Sequence, residues 1–140
     1  MDLQDRILEL SRQGFFCAQI MLQLALESEG KENTDLIRSL GGLNGGIGNT
    51  GGICGALTGG ACFISYFAGK GEEDELTHPA YFDMISELKA WFKGYVAEYG
   101  GCDCHTILDG DERNKIQRCP MIVLAVIEKC MELLELNGAL

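Results

Sequence analysis

The chain has 140 residues, enough for one compact domain with its own core and too few for two of ordinary size. Its formal net charge of −10, from 21 acidic residues against 11 Lys and Arg, argues against binding nucleic acid or an anionic membrane, because both depend on clustered cations. The start, Met1 to Arg6, lacks the basic segment and cleavage site of a secretory signal, so a cytoplasmic, reducing location is expected and the seven cysteines are not read as a disulfide framework.

Residues 2–28 carry helical periodicity, as one long helix or two joined near Gly14, with Leu3, Ile7 and Leu10 on one face and Cys17, Ile20, Met21 and Leu24 continuing it. Cys17 is thus expected within a helix, pointing inward. Gly30 and the polar residues after it end that segment, and Asn33 or Thr34 caps a short helix through Leu40. From Ser39 to Gly69 there is no charged residue, which in so acidic a protein marks an interior stretch. Its first part, Gly41 to Gly52, has too many glycines for regular structure and reads as a tight loop. Its second part, Ile53 to Ala68, reads as a helix around which the others pack. Gly55, Gly59 and Gly60 each cost that helix about 1 kcal/mol relative to Ala, a loss recovered where another backbone approaches closely.

Gly69 to Gly71 stops this helix, and the acidic run Glu72-Glu73-Asp74-Glu75 reads as a solvated loop. Residues 79–99 predict an amphipathic helix through Phe82, Ile85, Leu88, Phe92, Tyr95, Val96 and Tyr99, with Pro79 in its first turn. Cys102-Asp103-Cys104-His105 opens a short turn or helix to Leu108. The last helix runs from about Pro120 to Leu136, with Cys119 just before its start. No segment alternates like a strand. The expected fold is all-α: a single domain, 1–140, forming an irregular bundle of five to six helices around the central glycine-rich one.

Three motifs are discounted. Gly46-Ile47-Gly48-Asn49-Thr50-Gly51 spells G-x-G-x-x-G but follows a helical segment rather than a strand, so no nucleotide is expected. Gly51, Gly55 and Gly59 spell a repeated G-x-x-x-G, yet the helix is too short for a membrane span. Cys102 to His105 falls one residue short of C-x-x-C-H, so covalent haem is not expected.

Helix geometry sorts the cysteines. Cys119 and Cys130 lie about 16 Å apart along a helix axis and Cys54 and Cys62 about 12 Å, so neither pair shares one site. Cys62 and Cys130 read as core residues. Cys17, Cys54, Cys104 and Cys119 come from four separate elements and could converge, although this reasoning alone does not exclude Cys102. Cys54 falls at a loop-to-helix junction and Cys119 near another helix start, so these two are the candidate catalytic thiols, with the pKa of Cys54 expected below that of a free thiol.

Cys17-Ala18, then Cys54-Gly55-Ala56-Leu57-Thr58-Gly59, then Cys104 before Ile107-Leu108, then Cys119-Pro120, resembles the C_GCAxxG_C_C family of redox-active proteins over about Phe15 to Leu134. The resemblance implies a small helical bacterial or archaeal protein, related to a domain found beside haem in split-Soret cytochromes. The family's four recurring cysteines fall on Cys17, Cys54, Cys104 and Cys119, which become the expected metal ligands. Iron–sulfur binding, zinc binding and dithiol–disulfide cycling are all open chemistries for such a set. The alternative is a non-catalytic helical interaction module whose glycine face binds a partner helix and whose cysteines are merely core. A redox partner is implied without being identified, and a homo-oligomer stays open.

Overall fold

The computed structural model describes residues 2–140 and is all-α, as expected. Seven helices run α1 Leu3–Arg12, α2 Cys17–Ser28, α3 Thr34–Leu40, α4 Gly55–Ala68, α5 Tyr81–Tyr95, α6 Cys104–Leu108 and α7 Asn114–Leu136, with one-turn 3₁₀ segments at Gly41–Leu43 and Ala97–Tyr99. Asp2 caps α1 by accepting from the Asp5 N–H at 2.8 Å, and Asn33 caps α3 by accepting from Leu36 at 3.0 Å. Among the described residues the only β pairing is one isolated bridge between Ile53 and Asp103, and no helix is long and apolar enough to cross a membrane.

Helix α4 is the hub, packed against α2, α5 and α7. Its glycines serve as expected. A Cβ at Gly59 would lie 2.9 Å from the Ala18 Cα, and one at Gly60 would lie 2.7 Å from Val126 Cγ1 and 3.4 Å from Cys130 Sγ. The absent side chains let α2 press on one face of α4 while α7 presses on the other. Fully buried Met21, Ile64, Leu88, Phe92, Val126 and Leu134 fill the remaining space.

Several expected boundaries move, each for a physical reason. Residues 2–28 take the second of their two expected arrangements, two helices joined near Gly14, whose φ of +96° no right-handed helix contains. That break makes Cys17 the first residue of α2, so it lies within a helix as expected, at its N-terminal end. Helix α7 begins six residues before Pro120, so Cys119 lies inside it; the proline leaves the Ile116 carbonyl without its i+4 donor, and the helix continues through it. Helix α5 starts after Pro79 and buries Met84, Leu88 and Phe92, while Phe82, expected on the core face, is 76% exposed. The uncharged stretch is interior only in its second half. Ile47 to Thr50 are exposed, their polarity coming from the peptide groups of a loop with few side chains.

That loop is a left-handed turn. Gly45, Gly46, Ile47, Gly48 and Asn49 all have φ between +59° and +73°, and the amides of Gly51 and Gly52 reach back to the carbonyls of Gly45 and Gly46 at 3.0 Å each. A Cβ at Gly46 would fall inside the backbone of Gly52. The acidic run is solvated as expected: Glu75 folds back to accept from the Gly71 and Glu72 amides at 2.6 and 2.9 Å, and Lys70 bonds the Glu73 and Glu75 carbonyls.

Candidate functional site

Three of the four expected cysteines sit where a helix begins. Cys17 is the first residue of α2, Cys54 is the N-cap of α4, and Cys104 is the first residue of the single-turn α6. The left-handed turn and the Ile53–Asp103 bridge hold them together. The Cys54 amide donates to the Cys102 carbonyl at 2.9 Å, the Cys104 amide to Gly52 at 2.6 Å and the His105 amide to Gly51 at 3.2 Å. Asn44 ties the same loop to α2, accepting from the Ala18 amide at 3.2 Å and donating to Gln19 Oε1 at 3.0 Å. Gln19 in turn accepts from the Phe16 amide and donates to the Ile37 carbonyl.

The fourth thiol comes from α7, which is fastened to α6 at two points. Asn114 Nδ2 donates to the Leu108 carbonyl at 2.8 Å, and Arg118 donates to the Ile107 carbonyl while its guanidinium stacks 4.8 Å over the Tyr99 ring. Cys17, Cys104 and Cys119 line one cavity of about 590 Å³, walled by side chains of α1, α2 and α7 and by the glycine loop. Cys54 lies just behind them, 7% exposed and near enough to feel both Cys17 and Cys119. Cys17 is the common neighbour, electrostatically coupled to each of the other three. Cys130 is fully buried and donates to the Gly60 carbonyl at 3.5 Å, Cys62 is half-buried on α4, and neither lines this cavity. Cys102 contributes its backbone carbonyl at the bridge.

The electrostatics correct the expectation for Cys54. Its helix-terminal amides do act as argued, the N–H groups of Ala56 and Leu57 pulling its pKa down. Burial is larger and, with the adjacent Cys17 thiol, pushes Cys54 up to about 12. Burial also raises Cys119 to about 12, again with Cys17 and Cys104 adding repulsion. Cys17 is raised by burial against the amides of Gly45, Ala18 and Cys17 itself, and Cys104 is raised by burial and by Cys17. Without an added positive charge the four are therefore protonated at neutral pH.

Lys115 supplies part of that charge, and the sequence reading passed over it. It lowers the pKa of Cys17, Cys104 and Cys119, sits 5.0 Å over the Phe16 ring and pairs with Glu112 at 3.1 Å. Lys115 lies four residues before Cys119, the spacing that puts two side chains on one helix face. That signal was hidden by starting the last helix at Pro120. Asn44 and Gln19 were likewise missed, being two uncharged polar residues with nothing in their spacing to link them.

The donor set is all sulfur, which suits iron–sulfur clusters and zinc. A single tetrahedral ion holds its sulfurs at about 2.3 Å, roughly 3.8 Å from one another. Among the described residues no three Cys, His, Asp or Glu side chains stand close enough to hold one ion. The thiols border a space rather than a point.

Helical fold and cysteine content together define a cysteine-rich, all-α protein with three of its thiols on one cavity. The sequence model of the family described as "Putative redox-active protein (C_GCAxxG_C_C)" matches residues 15–133, and the chain belongs to that family. Comparison with curated proteins and with solved structures gives no match.

Proposed function

We propose that this redox-active protein carries electrons at Cys17, Cys54, Cys104 and Cys119, which together hold an iron–sulfur cluster. The observation that carries this reading is that Cys17, Cys104 and Cys119, from three separate elements, line one cavity, while Cys54, from a fourth, is buried close enough to feel Cys17 and Cys119. A purely structural role for the cysteines would not require that convergence. When bound, a cluster supplies reversible one-electron transfer at a potential set by its hydrogen bonds and exposure. The chain's own part is to stabilise thiolate sulfur. The amides of Gly45 and Ala18 point at Cys17, those of Ala56 and Leu57 point at Cys54, and Lys115 faces the remaining side. Phe15, Phe16 and Val123 limit water around the sulfurs.

A second reading is favoured by the looseness of the thiol group. In it, Cys17 cycles between dithiol and disulfide with one of its neighbours, losing two protons and two electrons on oxidation. One experiment separates the two. Protein purified without oxygen is assayed for iron and acid-labile sulfide, and its visible spectrum is followed through Cys→Ser replacement at each of the four positions. Stoichiometric iron lost in every variant, but kept in Cys62→Ser and Cys130→Ser, supports the cluster. Iron-free protein with one oxidisable thiol pair supports the disulfide cycle. Full iron retention in Cys54→Ser sinks the four-ligand arrangement.

A further inference from the structure

The cysteine-lined cavity extends well past its sulfur end. At about 590 Å³ it is within the roughly 300–1,000 Å³ of small-molecule pockets, and like them it is mainly apolar with a few polar groups. Phe15, Phe16, Ile116 and Pro120 form its outer walls. Two of these are costly to leave in water: Phe16 is 44% exposed and Ile116 81%. Ser11, Asn44, Asn49 and Lys115 are its polar side chains.

Lys115 is the only charged residue among those lining the cavity, and Glu112 neutralises it. The opposite end is lined by the thiols of Cys17, Cys104 and Cys119, in a chain of net charge −10. A permanently anionic ligand would meet an acidic chain whose one cation at the cavity is already paired with Glu112. A neutral ligand has no charge to oppose. The aromatic and aliphatic walls call for a planar, apolar body, and the Lys115 ammonium can donate to an oxygen that gains negative charge only on reduction.

We propose that the outer cavity binds a neutral quinone, reduced there by electrons from the four-thiol centre. This rests on the reading of that centre as redox-active. In metal-free protein the step balances with Cys17 and Cys119 as the pair: two S–H bonds break, one S–S bond forms, and the two protons and two electrons turn both quinone carbonyls into hydroxyls. The same site releases the hydroquinone.

Duroquinone is the suitable oxidised probe because its four methyl groups leave no ring C–H for thiol addition. Durohydroquinone is the inert probe for binding alone. With full-length reduced protein, calorimetry is expected to give one durohydroquinone per chain, and duroquinone absorbance to bleach with saturable kinetics. Ile116→Glu, at the exposed mouth, should weaken binding and raise the half-saturating duroquinone concentration at least tenfold, with unchanged circular dichroism; Ile116→Val should restore both. A quinone sulfonate should bind at least tenfold more weakly than the neutral compound. Absence of durohydroquinone binding, binding indifferent to Ile116→Glu, or preference for the sulfonate overturns the proposal. Binding in a protein with no titratable redox centre instead overturns the reading of the four thiols, so the two failures are distinguishable.

Discussion

Glycine does two different things in the two halves of the central stretch. In α4, Gly55, Gly59 and Gly60 have ordinary helical backbones, and what matters is the side chain they lack: Cys17, Ala18, Met21 and Val126 occupy the space a Cβ would need. In the loop before it, Gly45, Gly46 and Gly48 matter for a left-handed φ that other residues adopt only with strain. The helix half sets how closely α2 approaches α4. The loop half turns the chain so that Ile53 can bridge to Asp103, which brings the Cys54 and Cys104 backbones side by side. One composition therefore hides two mechanisms, and substitutions separate them.

Gly46→Ala is expected to do the most damage, because it combines a φ of +73° with a Cβ placed inside the Gly52 backbone, which no rotamer change relieves. We expect a loss of about 3 kcal/mol or more in urea unfolding, or no folded protein at all. Gly59→Leu should cost a similar several kcal/mol by overpacking against Ala18 and Met21, despite the better helix propensity of Leu. A gain in stability there would mean that the α2–α4 contact is open.

Alkaline pH tests the interior side of the comparison. Burial raises Cys130 from 9.0 to about 12, so the unfolded chain ionises this thiol first. Its stabilising contribution is full below pH 9 and is lost as pH rises toward about 12. Metal-free protein should lose stability over that window, and Cys130→Ala should show a shallower loss. A flat profile would show that water reaches Cys130.

Thiol labelling sharpens the same point at the junction of the two halves. In metal-free folded protein, alkylation near pH 8 should modify half-buried Cys104 at least tenfold faster than Cys54, because burial outweighs the helix-terminal amides at Cys54. Faster labelling of Cys54 would restore the order expected from its helix position alone.

The smallest effect belongs to the loop. Ile47 is a β-branched residue at φ +65°, 57% exposed, so Ile47→Gly relieves strain and sacrifices little burial. A gain of about 1 kcal/mol is expected, whereas Gly48→Ala, with open space but φ +59°, should lose about the same. Equal and opposite shifts in urea midpoint would identify conformation as the loop's requirement.

Local pattern was enough for much of this protein. Apolar periodicity of 3.6 marked the helices, and the small residues of α4 announced a close contact before any partner was known. The four cysteines were separable from Cys62 and Cys130 because rise per residue limits what one helix can bring together. Other features depended on contacts distant in sequence. Pro120 ends most helices, but here α7 continues through it because Asn114 and Arg118 anchor its first turns to α6. That extension moves Cys119 into a helix and brings Lys115 to the thiols. Cys54 shows the same division most plainly: its place at a helix start is a local property, legible in the glycine-to-helix transition, and it does lower the pKa. The burial that overrides it comes with α2 and α7 packed close to the sulfur, and desolvation depends on everything packed nearby rather than on neighbours in the chain.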